Sequence, residues 1–153
     1  MTSPANTASA PRGRRFLIQA RAYADAADAL AAGGIGPAVR PPYFMLIAHS
    51  AELALKAVIA AGGSDDDHLI LLGHDLPLCL RLAIGGGLQV DPAGGPIAEV
   101  IAELAMPHLA QTLRYPAYLA WPLPDPETAL DALNDLLAHV ERTLGGSPSP
   151  SLA

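Results

Sequence analysis

A chain of 153 residues, 51% of them apolar, is one domain's worth and long enough to bury most of its apolar surface around a single core. Its net charge of −6, with a single lysine and eight scattered arginines, supplies no basic stripe of the kind that neutralises a phosphate backbone, which argues against a stand-alone DNA binder. The lone Cys79 has no partner for an internal disulfide and lies among leucines, as a small buried apolar side chain in a reducing compartment would.

Residues 1–13 and 145–153, rich in Ser, Pro, Ala and Gly without periodicity, read as disordered tails around a helical unit over 14–144. Arg14-Arg15-Phe16-Leu17 is superficially similar to a twin-arginine export signal, but Arg21, Asp25 and Asp28 fall where such a signal needs an uncharged apolar core.

The first helix is predicted over Arg14 to Ala32, where Phe16, Ala20, Tyr23, Ala27 and Leu30 recur on one face, and Gly33-Gly34 ends it. A second runs from Pro42 to Ala61, opened by proline and closed by Gly62-Gly63. Both of its faces are apolar, so it is expected at the centre of the fold. Glu52 and Lys56 near its middle would each cost roughly 2.5 to 3.5 kcal/mol on insertion into a bilayer, so it reads as a core helix of a cytoplasmic protein. The segment from Gly62 to Leu76 reads as a loop. A short third helix follows from Leu76 to Ala83, with Asp75 as its cap and Gly85-Gly86-Gly87 as its stop. The fourth pattern covers Pro96 to Leu113, with Ile97, Ile101 and Leu104 inward and a kink or break expected near Met106 because Pro107 removes a backbone donor. In the last helix, Asp125 and Pro126 lead into Leu130, Leu133, Leu137, Val140 and Leu144, while Asp131, Asp135, Glu141 and Arg142 form a solvated face. The expectation is an all-α bundle of four long helices and one short one.

Successive helical residues turn by about 100°, so Met45, His49, Glu52 and Lys56 share one stripe of an otherwise apolar helix. Glu52 and Lys56 are spaced for an internal ion pair with His49 hydrogen-bonded nearby; the sharper reading of the same stripe is a buried acid-base site lining a groove. Asp65, Asp66, Asp67, His68, His74 and Asp75 crowd one loop without any zinc or calcium ligand spacing, so no metal site and no cofactor are expected, and His74 and Asp75 read as capping residues. His108 and His139 read as isolated core-edge or surface residues. Arg114 and Tyr115, with Pro116, Tyr118 and Trp121 beyond them, offer an arginine beside aromatics. Such an arginine either bonds the free carbonyls of a helix end or clamps a base or phosphate. No nucleophile triad, phosphate-cradling loop or nucleotide fingerprint is present.

The combination of His49-Ser50-Ala51-Glu52-Leu53-Ala54-Leu55-Lys56-Ala57, Gly73-His74-Asp75-Leu76 and Leu113-Arg114-Tyr115-Pro116 resembles the bacterial branch of the HEPN domains, the nucleotide-binding domains of higher eukaryotes and prokaryotes. The resemblance covers about residues 14–144 and implies an up-and-down bundle that forms a homodimer in a toxin-antitoxin, phage-defence or RNA-processing setting. It also implies a nucleotide, an RNA end or a protein partner, such as a nucleotidyltransferase-like antitoxin, as ligand. Ribonuclease members of that family carry an arginine followed, after four to six residues, by a histidine. No arginine of this chain has a histidine at that distance, and the nearest approach, Arg40 to His49, spans eight residues. The reading that follows is a non-catalytic binding module with His49, Glu52, Lys56, His74, Asp75, Arg114 and Tyr115 around its groove. The competing one is a ribonuclease toxin with a different Arg/His pair.

Overall fold

The computed structural model describes residues 4–115 and 122–145, with side chains from residue 8 onward. Six α-helices follow one another: α1 (Pro4–Ala32), α2 (Arg40–Ala61), α3 (Asp66–Leu72), α4 (Leu76–Gly85), α5 (Pro96–Leu109) and α6 (Pro126–Gly145), with one 3-10 turn at Thr112–Arg114. No strand occurs among the described residues, and the fold class is all-α.

The expected central position of α2 is what the packing shows: it meets α1, α4, α5 and α6, and from Tyr43 to Ala60 nearly every residue is buried. It is the one described helix long and apolar enough to cross a membrane, yet 78% of its most apolar window is buried inside the bundle. Ser50 anchors it to α1 by donating to the Ala20 carbonyl at 2.6 Å. Tyr43 does the same toward α6, donating to the Pro126 carbonyl at 2.6 Å. From α6, Ala129, Ala132, Leu133, Leu136, Leu137 and Val140 complete the core.

Several boundaries differ from the expected ones. The tail expected over 1–13 is helical from Pro4, because α1 has a docking surface there that its composition hides. Gly13 lies against α2 so closely that a Cβ on it would fall 2.7 Å from the Ala57 carbonyl oxygen and 2.7 Å from the Ala61 Cβ. Next to it, Arg12 ties α1 to the Ser64 carbonyl and to Asp66. The supposed loop 62–76 contains α3, a two-turn helix capped by Asp65, whose carboxylate accepts from the His68 amide at 2.8 Å, and held by buried Leu69 and Leu72. Helix α5 runs two residues past Pro107 instead of breaking at Met106, and it stops at Leu109, short of Leu113. Gln111 then takes a left-handed conformation, φ 58°, and the chain tightens into the 3-10 turn. Residues 146–153 of the expected second tail, together with Pro116, Tyr118 and Trp121, lie outside the described residues.

Candidate functional site

A buried polar cluster forms where the middle of α2, the α3–α4 corner and the end of α5 meet. Glu52 and Lys56, one turn apart on α2, make the expected ion pair, Lys56 Nζ to Glu52 Oε2 at 3.1 Å. Both are nearly sealed from solvent, Glu52 at 3% and Lys56 at 7% exposure. Lys56 also donates to the Gly73 carbonyl at 2.8 Å, which fastens the α3–α4 corner to the core.

The second carboxylate oxygen is shared by two imidazoles. His74 Nδ1 lies 2.7 Å and His108 Nε2 2.8 Å from Glu52 Oε1, so each donates an N–H to the same atom. Their rings stand edge to face with centroids 5.2 Å apart. Burial by itself pushes the Glu52 carboxyl up. The hydrogen bonds from His108 and His74, followed by the charge and hydrogen bond of Lys56, outweigh that and hold it at about 2. Glu52 is therefore an anion fixed by three donors. His108 is as buried as Glu52, whereas the His74 side chain is 39% exposed and forms the solvent edge of the cluster.

Of the residues singled out from sequence, Glu52, Lys56 and His74 come together. His49 does not join them. It shares their stripe, only about 60° from Glu52 around the helix, but its ring turns to pack edge-on against Tyr23 of α1 with centroids 4.6 Å apart. Its Nδ1 is buried without a partner among the described residues. Burial is the main cause that lowers its pKa, so it is a neutral imidazole at neutral pH. Asp75 caps α4 as expected, accepting from the Leu78 amide at 3.0 Å, but His74 is no capping residue. Arg114 is exposed, and its guanidinium makes no hydrogen bond or ion pair among the described residues. The carbonyls at the end of α5 are bonded instead by Gln111 Nε2, 2.7 Å from the His108 oxygen, and by Thr112 Oγ1, 3.3 Å from the Pro107 oxygen. Tyr115 is exposed beside Arg114.

His108 belongs to the cluster although it reads as isolated in the sequence. The inward series Ile97, Ile101, Leu104 continues by one more step of four onto His108, which is the signal that identifies it. A concavity of about 540 Å³ lies elsewhere, lined by Ala10, Arg14, Val58, Gly86 and Thr143.

Chemically the cluster is a carboxylate with both oxygens engaged, an ammonium with a counter-charge, and two imidazoles of which one meets solvent. His74 supplies its solvent edge, and Arg114 lies in the 3-10 turn that packs on α2 and α5, near enough to act electrostatically on His49. No family model, no curated protein and no solved structure matches the chain.

Proposed function

We propose that this chain is a HEPN-like, up-and-down helical bundle that works in the cytoplasm as a binding module and not as a catalyst. Its ligand is anionic, a nucleotide or an RNA end, held at the rim formed by Arg114 and His74 above the buried Glu52-Lys56 pair. The observation that carries the reading is a division of labour between the cluster and Arg114. The buried groups are bonded to one another, while the guanidinium of Arg114 is exposed and without a counter-charge among the described residues. An exposed guanidinium is suited to clamp a phosphate through two parallel hydrogen bonds. Self-association as a homodimer fits the bare side chains of Ile70 and Leu71 on α3, exposed at 73% and 84%.

The competing reading is a ribonuclease toxin, and the observation that favours it is the imidazole pair, His74 and His108, with ring centroids 5.2 Å apart. General acid-base cleavage needs an imidazole within hydrogen-bond reach of the scissile phosphate. His108 is buried and committed to Glu52, so only His74 of that pair reaches solvent. Incubating the purified protein with single-stranded RNA, with and without Arg114→Ala, separates the readings. Retention of intact RNA that is lost in the variant supports the binding module. Cleavage that depends on Arg114 sinks it in favour of the toxin.

A further inference from the structure

We infer that Glu52, His74 and His108 form a transition-metal site of the zinc type, with Glu52 Oε1, His74 Nδ1 and His108 Nε2 as its three ligand atoms. These atoms come from three separate elements, and all lie within 4.8 Å of one another. Two imidazole nitrogens and a carboxylate oxygen are the donor set that suits zinc and not magnesium or calcium, which take oxygen ligands. Three protein ligands leave a fourth tetrahedral position open.

The surroundings are those of a metal site as well. Lys56 holds the other carboxylate oxygen, Oε2, and is itself held by the Gly73 carbonyl, so Oε1 stays aimed at the two imidazoles. Both imidazoles now donate to Oε1, and on uptake each presents a lone pair instead, its remaining proton moving to the other ring nitrogen. The nitrogens draw together and the carboxylate oxygen backs away, each by roughly an ångström, to reach metal bonds of about 2.0 to 2.2 Å. His74, at the half-exposed edge beside Gly73, is the ligand with room to make that shift and the one through which an ion arrives. One carboxylate set against a divalent ion and the Lys56 ammonium leaves the centre net positive. Its fourth position therefore suits an anionic oxygen or hydroxide.

The sequence hides this set because 22 residues separate Glu52 from His74 and 56 separate it from His108. The inference stands apart from the RNA-binding reading, since metal uptake and RNA retention are measured independently. Untagged full-length protein, stripped of metal, is titrated with Zn2+ alone by calorimetry and with Co2+ by visible absorption. One equivalent of Zn2+ is expected, with Co2+ giving the intense bands of tetrahedral coordination. His74→Gln keeps a hydrogen-bond donor toward Glu52 and is expected to fold, yet to weaken uptake at least about tenfold. A combined His68→Gln and His139→Gln variant, which removes two imidazoles outside the cluster, leaves uptake unchanged. Absence of stoichiometric uptake, an octahedral Co2+ spectrum, uptake indifferent to His74→Gln, or uptake lost in the double variant would each overturn the inference.

Discussion

Glu52 Oε1 and His108 Nε2 stand 2.8 Å apart, both inside the protein, although 56 residues of chain separate them. The bond joins the middle of α2 to the end of α5, and with His74 and Lys56 it makes Glu52 the point through which three elements are tied. Glu52 is thus the one of the four that is hydrogen-bonded directly to each of the other three.

That asymmetry predicts unequal costs for the two halves of the ion pair. Glu52→Gln leaves the Lys56 ammonium buried without a counter-charge and is expected to destabilise the protein by about 3–5 kcal/mol. Lys56→Met leaves Glu52 its two imidazole donors and the Gly73 carbonyl without its lysine, a loss of about 1–2 kcal/mol. Urea denaturation of both variants checks the order. Equal losses would mean that the imidazoles contribute nothing to holding the carboxylate.

The same bonds make stability depend on acid. Glu52 titrates at about 2 in the folded chain against an ordinary 4.5, so its ionised form favours the fold. The contribution is complete above 4.5 and drains away as the pH falls toward 2, amounting in full to about 3 kcal/mol. Carbon-13 observation of the Glu52 side-chain carboxyl gives the folded value directly, and urea midpoints between pH 6 and 2.5 give the stability. A carboxyl that titrates near 4.5 in the native protein would remove the argument. Asp125 and Glu141 are also lowered, the first mainly by the Thr128 amide and the second mainly by Arg14, but both are at the surface and add only a slope that salt weakens.

Much of this organisation is legible in the sequence, and the parts that are not share a physical cause. A proline start, a continuous apolar run and a glycine stop mark α2, while Asp caps and apolar periodicity mark α4 and α6, because all of these act locally. Glu52 and Lys56 are visible as a pair because their spacing is helical. The role of His108 depends on where α5 comes to rest, and His74 is read as a cap because its partner lies on another helix. The first turns of α1 and the whole of α3 are likewise held by tertiary contact: Gly13 and the small helix 66–72 lack the length or side chains that make a periodic signal.

Cys79, within electrostatic reach of Lys56 and Glu52, supplies a check on how tightly α4 is docked. It is fully buried, and burial pushes its thiol up to about 12. A thiol that is both sealed and protonated at neutral pH is expected to react with an aromatic disulfide reagent only when the chain opens. Reaction in native buffer should therefore run at the rate of global unfolding and become immediate in denaturant. Rapid native labelling would show α4 to be loosely docked.

Gly13 tests whether α1 belongs to the fold from its first turns. A methyl group at this position meets the Ala57 carbonyl oxygen and the Ala61 Cβ, both at 2.7 Å, and neither is the end of a flexible side chain that can swing aside. Helix propensity alone would make Gly13→Ala stabilising by up to about 1 kcal/mol, since glycine is the poorer helix former. Overpacking against a rigid backbone costs about 1–3 kcal/mol and acts in the opposite direction. The close approach wins, because α1 can relieve it only by lifting off α2, which also pulls Arg12 from Ser64 and Asp66. Gly13→Ala is accordingly expected to lower the urea midpoint and to speed amide exchange along 8–20 of α1. A midpoint that rises instead would mean that this end of the helix is not seated against α2.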